Sequence, residues 1–360
     1  MRGRQERQAS MLLAVTVEDL VPQRHPIRRI RVLVDGLLDE LGPVFAEMYS
    51  TRGRPSIPPE HLLKATLLMA LYSIRSERQF CERLQYDLLF KWFLGLNITD
   101  PAFDPTTFTH NRERLLKHEV AEAFLGGTVR QARKQRLISE EHFTVDGTLM
   151  QAWASLKSFR PKDDQEPPEG GGRNAPADFH GQRRSNETHR STTDPESRLA
   201  RKGTHQEAKL CFSGHLLTEN RQGIIVDALL CEASGFAERE AALRLVDRQQ
   251  LPPGATLGAD KAYDTQAFVA ALTERGVVPH IAQHTRGRRS AVPDAIAGSP
   301  EYALSQRRRK LVEEPFGWLK TVAQGRKLRY LGVARNQLWF LMAVAGYNLI
   351  RLAKLSPQPA

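Results

Sequence analysis

The 360-residue chain predicts an all-α N-terminal domain followed by a mixed α/β domain that ends in further helices. Two observations support this division. Up to about residue 135, apolar residues recur roughly every three to four positions, as they do along one face of an amphipathic helix. From residue 141, short apolar runs of strand length alternate with helical patterns, which indicates a sheet with packed helices. We therefore expect two domains, at 1–135 and 136–360.

Four segments of the N-terminal region are predicted as helices. The apolar residues of 27–41 have helical spacing, and Pro58 to Glu60 opens a second amphipathic run with proline in its first turn. Ser76 with Gln79 offers a capping-box start for the third helix, and the fourth begins at Asp104. The fourth helix has a polar, basic face. The set is compatible with helix-turn-helix DNA binding and equally with an ordinary helical bundle that has a charged exterior.

The second region opens with the strand-like run HFTVDGTLMQAW at 142–153. The runs AKLCFSGHLLTE and GIIVDALLCEA flank a four-residue turn at 220–223, which predicts a β-hairpin. A helix at 238–249 follows, and its first turn has acidic residues, which the helix dipole favours at that end. Downstream we expect a short strand at 256–258, just before Ala259 and Asp260, then a helix at 265–275, a strand at 277–283 and long helices from Glu301 onward.

Residues 157–206 interrupt this order with a run rich in Pro, Gly, Ser, Thr, Arg and Asp. Such composition is typical of a long polar loop. We expect a mobile insertion between the first and second strands, outside the core of the fold.

The charge of the chain is concentrated at one end. The formal net charge is +11, and the last sixty residues hold 11 basic side chains against 3 acidic ones. This excess indicates either a surface that binds a polyanion or a solvated basic helix. Composition does not separate the two interpretations.

Several function classes are made improbable by what the sequence does not contain. Three cysteines without a CxxC pair argue against a disulfide scaffold or a cysteine zinc site. The N-terminal apolar run is too short for a signal peptide, and the apolar stretch 338–350, broken by Asn348, is too short to span a membrane. We expect a core helix there and a soluble cytoplasmic protein. No Gly-rich phosphate loop appears, so ATP is not implied.

Three carboxylates are candidates for catalysis. Asp146 lies within the first strand, and Asp260 follows the fourth strand, at the edge where open α/β sheets place their ligands. Taken singly, Asp146 could be a turn or edge residue and Asp260 a helix N-cap. On a helical wheel of 100° per residue, Arg309, Glu313 and Lys320 share one stripe. Glu314 is the reserve candidate, and we expect Pro315 to kink this helix.

Two aspartates from strand ends and a glutamate from a packed helix can converge on one point. Carboxylates brought together without a cation repel each other, and burying them unpaired is costly. Divalent ions resolve this conflict, because Mg²⁺ prefers oxygen ligands and retains water or substrate phosphate. Two such ions can support phosphoryl transfer. The sequence therefore predicts a site for Mg²⁺ or Mn²⁺ formed by Asp146, Asp260 and Glu313.

Five segments of the chain carry a family resemblance: VDGTLMQAWAS, DPESRLARKG, EAKLCFSGHLL, GADKAYD and KLVEEPFGWLKT. In this order they resemble the DDE transposases of bacterial insertion sequences, in the insertion-sequence-five and insertion-sequence-four superfamily. The resemblance implies a ribonuclease H-like catalytic domain after a helical N-terminal domain that recognises DNA ends. The C-terminal YNLIRLAKL is similar to the family's ending.

The resemblance assigns roles to particular residues. Asp146, Asp260 and Glu313 match the catalytic triad, and Arg309 and Lys320 match the basic members of the family's Y-R-E-K signature. The signature tyrosine would fall at position 306, where this chain has glutamine. Further candidates for DNA contact are Trp318, which could stack on a displaced base or belong to the core, and the basic residues Arg326, Lys327 and Arg329.

The implied function is hydrolysis of phosphodiester bonds at the element's ends and attack of the freed 3′-OH on target DNA. The implied partners are terminal inverted repeats and target DNA, bound by a homodimer near the bacterial nucleoid, with no membrane partner. Two alternatives remain: a non-catalytic DNA-binding regulator, and a nuclease on the same fold.

His280 and His284 are four residues apart, but we expect them on a strand and its exit, where that spacing does not form a metal site.

Overall fold

A computed structural model describes residues 15–50, 52–53, 55–162, 185–203, 206–235, 237–285 and 287–356 of the chain. Its N-terminal part is helical. The helices are α1 (Val17–Leu20), α2 (Ile27–Glu40), α3 (Gly42–Met48), α4 (Pro59–Leu71), α5 (Glu77–Tyr86), α6 (Leu88–Leu94), α7 (Thr106–Lys117) and α8 (Val120–Lys134). The four predicted helices correspond to α2, α4, α5 and α7. Ser76 caps α5 by accepting a hydrogen bond from the backbone N–H of Gln79.

The second part of the chain contains all eight described strands. The strands are β1 (His142–Gln151), β2 (Phe159–Pro161), β3 (His189–Ser191), β4 (Arg198–Ala200), β5 (Lys209–Glu219), β6 (Ile225–Glu232), β7 (Thr256–Ala259) and β8 (Val278–Ile281). The helices are α9 (Ala237–Gln249), α10 (Gln266–Glu274), α11 (Asp294–Ala297), α12 (Pro300–Arg308), α13 (Glu313–Thr321) and α14 (Val333–Leu355).

The central sheet has the order β6-β5-β1-β7-β8. Strands β6, β5 and β1 are antiparallel neighbours, and β7 and β8 run parallel to β1. The short strand β4 pairs with the beginning of β5 along the edge that β6 also uses. Three antiparallel strands followed by two parallel strands reached through helices form a ribonuclease H-like mixed sheet. The predicted fold class is confirmed.

The predicted helix around Glu313 is not continuous. A 3₁₀ turn at Arg309–Val312 separates α12 from α13. The interruption precedes Pro315, which lies in the first turn of α13, where a missing N–H costs no intrahelical hydrogen bond. The expected kink at Pro315 is therefore wrong, and the wheel angles that place Arg309 relative to Glu313 do not apply.

The segment 157–206 is partly built into the fold. Strands β2 and β3 pair with each other, and β4 joins the central sheet. Asp194 is buried and accepts a hydrogen bond from the backbone N–H of Gly332, 3.2 Å away. Residues 163–184, which include the glycine-rich part of the predicted insertion, lie outside the described residues. The described parts of 157–206 are therefore ordered elements of the fold and not a mobile loop. Their polar composition suggested a loop, but polar side chains such as Asp194 bind backbone groups there.

Helix α14 is the centre of the hydrophobic core. It packs against α2, α4 and α8 on one side and against β6 on the other. One core cluster therefore includes residues of the helical region and of the sheet. By length and composition α14 could cross a membrane, but 78% of its most apolar stretch is buried inside the fold. The prediction of a core helix at 338–350 is confirmed.

Polar side chains of α14 cover the free edge of β6. Asn348 accepts a hydrogen bond from the backbone N–H of Ile225 at 3.0 Å and donates one to the carbonyl of the same residue at 2.8 Å. Gln337 accepts from the backbone N–H of Leu230 at 2.6 Å. An uncovered strand edge exposes unpaired backbone groups, so these two side chains satisfy groups that the sheet leaves open.

Candidate active site

Asp146 in β1 and Asp260, the first residue after β7, lie at neighbouring positions of two adjacent parallel strands. The register of β1 and β7 pairs Thr144 with Gly258, and each aspartate lies two residues beyond that pair. Adjacent strands are about 4.8 Å apart, and residues i and i+2 face the same side of a sheet. The sheet therefore brings together two carboxylates that are 114 positions apart in the chain.

The charges around Asp146 are strongly coupled. The pKa of the Asp146 carboxyl is raised to about 6, mainly by burial and in addition by the neighbouring carboxylates of Asp260 and Glu238. The backbone N–H of Gly147 donates a hydrogen bond to Asp146 Oδ1 at 2.8 Å, and this bond and the charge of Arg309 lower the same pKa. Two carboxylates and one guanidinium thus surround the Asp146 side chain.

Asp260 has two structural roles. Its Oδ1 accepts a hydrogen bond from the backbone N–H of Ala262 at 2.7 Å, which caps the 3₁₀ turn Lys261–Tyr263. Asp260 therefore caps this turn, whereas the following helix α10 is capped by Thr265. The same residue lies at the end of β7 next to Asp146, so capping and a place in the site are compatible.

Lys320 reaches the strand that carries Asp146. Its Nζ donates a hydrogen bond to the hydroxyl of Thr148, two residues beyond Asp146 on the same face of β1. Burial lowers the pKa of Lys320, and the charge of Asp146 opposes this shift. Lys320 and Arg309 both act electrostatically on Asp146, as members of one basic lining.

The two candidate glutamates of α13 point to different surroundings. The Glu314 carboxylate lies 3.5 Å from the guanidinium of Arg351 on α14. Burial raises the pKa of Tyr347 on the same helix, and the charge of Glu314 raises it as well. Glu313 is exposed, and no hydrogen bond or ion pair joins it to another described side chain. It precedes Lys320 by two helical turns, so both lie on one face of α13. Glu313 stays the predicted third carboxylate.

The predicted DNA-binding residues fall into two groups. Arg326 is exposed, and Lys327 lies with its Nζ 5.1 Å from the ring centre of Trp153. Arg329 is turned inward: it donates to the carbonyl of Ile74 at 3.3 Å and lies over the ring of Trp339. Burial lowers the pKa of Arg329. The Arg329 guanidinium is thus engaged between the helical region and α14, and its contact with DNA stays a prediction.

Trp318 is a packing residue. It is half-buried, and its ring meets that of Tyr347 edge to face at a centroid distance of 5.8 Å. The interpretation as a core tryptophan is favoured over the interpretation as a base-stacking residue. The exposed tryptophan of this surface is Trp153, which follows β1 and is 51% exposed between the cations of Arg75 and Lys327. Trp153 was not predicted as a surface residue, because in the sequence it ends the strand-like run 142–153 as its last apolar residue.

Helix α12 is anchored on β8. Gln306, at the position of the family's signature tyrosine, donates from Nε2 to the carbonyl of His280 at 2.5 Å. Tyr302 donates to the carbonyl of Ile281 at 2.8 Å. These bonds fix the end of α12, from which Arg309 reaches Asp146. The ring of His280 is buried and packs against the ring of Tyr302. His280 is therefore a core residue.

A cleft of about 580 Å³ opens beside Asp260. The residues that line it are Asp260, Lys261, Ala262, His284, Gly287 and Arg288. The buried carboxylate of Asp264 holds its far wall, because it accepts hydrogen bonds from the backbone N–H groups of His284 and Ala291 at 2.7 and 2.8 Å. The cleft thus combines two exposed cations with one of the paired aspartates.

Two known families match this chain. The family described as Transposase domain (DUF772) matches residues 15–114, and the family described as Transposase DDE domain matches residues 178–349. Together the two matches cover about three quarters of the chain. The chain belongs to the DDE transposases. Asp260 and Glu313 fall within the second match, whereas Asp146 lies between the two matches.

Solved structures of transposases are similar to this chain at low identity. A piggyBac transposase synaptic complex with hairpin DNA covers 91% of this chain and 75% of its own, with 10% identity and a TM-score of 0.44. A Mos1 transposase paired-end complex with left transposon end covers 85% and 80%, with 11% identity and a TM-score of 0.21. No curated protein sequence matches the chain.

DDE transposases generally use a divalent metal ion, and the side chains here fit one chemically. Asp146 and Asp260 supply paired oxygen ligands. Tyr263 Oη and Arg309 Nε are buried beside them without a hydrogen-bond partner among the described residues. Within the described ranges, no three His, Cys, Asp or Glu side chains come close enough together to hold a metal ion. The described conformation therefore provides a pair of ligands and leaves the third position open.

Without metal, Asp146→Asn is expected to stabilise the protein at neutral pH. The raised pKa means that the folded state binds the Asp146 proton more tightly than the unfolded chain, whose pKa is near 3.8. Stability from this group is therefore present below about pH 4 and lost as pH rises through about 6. We expect the variant to gain about 2 kcal/mol at about pH 8 and nothing at about pH 4.

Urea denaturation in EDTA across this pH range measures the effect. Glu240→Gln, an exposed carboxylate on α9, is the matched control and is expected to follow the parent protein. An equal decline of stability in Asp146→Asn and in the parent would contradict the assigned burial of Asp146.

Proposed function

We propose that this chain is a metal-dependent DNA transposase that binds terminal inverted repeats, cleaves phosphodiester bonds at the element ends and joins the freed 3′-OH to target DNA. The observation that carries this proposal is the pairing of Asp146 and Asp260 on adjacent strands, with Arg309 and Lys320 acting on the same point. Two neighbouring carboxylates beside two cations can hold both a divalent ion and the phosphate that it serves.

Asp146 and Asp260 would hold Mg²⁺ or Mn²⁺, with Glu313 completing the set. When bound, such ions activate an attacking oxygen and stabilise the leaving oxygen of a phosphodiester. Lys320, held against Thr148, presents its ammonium next to Asp146 and would contact a phosphate oxygen there. Arg309 keeps part of the carboxylate charge compensated before substrate arrives.

Two basic surfaces lie on either side of the aspartate pair. One extends from the end of β1 and carries Arg326, Lys327 and Arg75, with Trp153 between cations. Backbone pairing of Gln151 with Arg326 and Leu328 fixes this surface to β1, at distances of 3.1 and 2.7 Å. The other is the cleft beside Asp260. Phosphate contacts give affinity and orientation, so we assign both surfaces to the DNA backbone.

The proposal is tested on the DNA that flanks this reading frame. A plasmid carrying both flanks, incubated with purified protein and Mg²⁺, is expected to yield cut ends and products joined to a second plasmid. EDTA is expected to abolish both. Cleavage without joined products would indicate a nuclease on the same fold, and binding without cleavage would indicate a regulator. Formation of a protein dimer only in the presence of both ends would support the proposed homodimer.

Neutralising Arg326 and Lys327 together is expected to weaken binding to the flanking DNA and to flatten its dependence on salt. If each cation releases one counterion, the slope of log K against log salt falls by about 2. The measurement is a titration with labelled DNA at several salt concentrations.

The matched control removes two exposed cations at the opposite end of β1, Arg133 and Lys134 at the end of α8. We expect this control to retain the parent's slope. An unchanged slope in the Arg326 and Lys327 double variant would indicate that this surface is a solvated basic segment that does not contact DNA.

A further inference from the structure

Glu238 lies directly over the strand that carries Asp146. It occupies the first turn of α9, which packs against β1 and β5. A β-carbon at Gly147 would stand 3.3 Å from Glu238 Cγ and 2.7 Å from His215 Nδ1. No side chain fits between α9 and the strand at this point. Glycine at position 147 therefore lets Glu238 approach the residue that precedes it, Asp146.

The carboxylate of Glu238 acts on both aspartates. Burial raises the pKa of Glu238, the charge of Asp260 raises it further, and Arg239 opposes the shift. Glu238 in turn contributes to the raised pKa of Asp146. Carboxylates from β1, β7 and α9 therefore share one electrostatic environment, although only the first two were expected to meet.

A buried phenol faces the same three carboxylates. Tyr263 follows Asp260 in the 3₁₀ turn and is fully buried, and its hydroxyl has no hydrogen-bond partner among the described residues. Besides burial, the groups that raise its pKa are Glu238, Asp146 and Asp260. Both ring nitrogens of His215 are likewise buried without a partner. Buried polar atoms are usually satisfied, so this concentration of open groups indicates a missing polar ligand.

We propose that Glu238 supplies a further carboxylate to the divalent-cation site of Asp146 and Asp260. This inference rests on the proposed function. Among the described residues the three carboxylates do not form a closed ligand set, and carboxylates without a cation between them repel each other. Rotation of the Glu238 side chain toward the aspartates closes the set when a cation neutralises them.

The test is Mn²⁺ binding by the full-length protein without DNA, measured by titration calorimetry. Glu238→Gln is expected to weaken Mn²⁺ binding by about tenfold or more. Glu240→Gln removes an exposed carboxylate two residues further along α9 and is expected to leave the affinity unchanged. Glu238→Asp, which retains the charge, is expected to recover part of the lost affinity and guards against a general effect on folding.

Tight Mn²⁺ binding by the parent and equal binding by Glu238→Gln would overturn the inference and leave the proposed function intact. Absence of any Mn²⁺ binding by the parent would overturn both, together with the assignment of Asp146 and Asp260 as ligands. Equal weakening by Glu240→Gln would also overturn the inference, because it would reduce the effect to the net charge of the helix.

Discussion

Asp146→Asn and Asp260→Asn are each expected to reduce cleavage at the element ends by about a thousandfold or more. Asparagine preserves the volume of aspartate but removes the charge that would hold a divalent ion. Because the two residues occupy adjacent positions on β1 and β7, losing either one breaks the pair. Single-turnover cleavage of end-labelled DNA with Mg²⁺ measures the loss, and a gel-shift titration is expected to show that DNA binding remains.

Asp294→Asn is the control for this pair, because its carboxylate is exposed on α11 and its ion-pair partner is Arg289. We expect it to cleave at the parent's rate. Substantial cleavage by either active-site variant would contradict the proposed chemistry.

The choice between the glutamates of α13 is tested in the same assay. Glu313→Gln is expected to be inactive, and Glu314→Gln is expected to be active because its carboxylate pairs with Arg351.

Asn348→Leu is expected to lower the free energy of unfolding by about 3 kcal/mol. Leucine has a similar volume, so the change removes hydrogen bonds without leaving a large cavity. The backbone N–H and carbonyl of Ile225 then stay buried without a partner, and Thr128 Oγ1 loses the hydrogen bond that it accepts from Asn348 Nδ2 at 3.1 Å. An unsatisfied buried group costs about 1–3 kcal/mol. Urea denaturation of both proteins measures the difference.

Lys354→Leu places the same residue at an exposed position of α14, where Lys354 makes no described ion pair or hydrogen bond. We expect its stability to stay within about 0.5 kcal/mol of the parent. Equal stability of Asn348→Leu and the parent would show that water or a shift of β6 replaces the side chain. In that case the helix would not be needed to protect the edge of the sheet.

The periodic elements of the chain were predictable from local patterns. The helices around 27–41 and 59–71 and the strands β1, β5 and β6 were located because their apolar residues repeat at the period of the element. Helix α8 was missed, since Gly126 and Gly127 argue against a helix interior. The structure explains the glycine at position 127. A β-carbon there would stand 2.6 Å from Leu37 Cδ2, so the close packing of α8 on α2 requires glycine.

The candidate site was only partly predictable. Asp260 was found because it ends a strand, and Asp146 was assigned by resemblance. Glu238 was visible only as part of a charged first helical turn, since nothing local tells whether such a turn faces solvent or a second carboxylate. Arg329 and Arg326 stand three residues apart in one basic run. One guanidinium binds the carbonyl of Ile74 and the other is exposed, a difference that composition does not contain.

Sequence by itself determined the order of the main strands and helices, the family and the chemical character of the site, because periodicity and short motifs depend on neighbouring residues. Tertiary structure alone decided which charged groups meet. The β1–β7 register brings Asp146 beside Asp260, and the close approach of α9 over Gly147 adds Glu238. Contacts between residues far apart in the chain depend on how whole elements pack, and burial at those contacts changes the charge that each carboxylate prefers to carry.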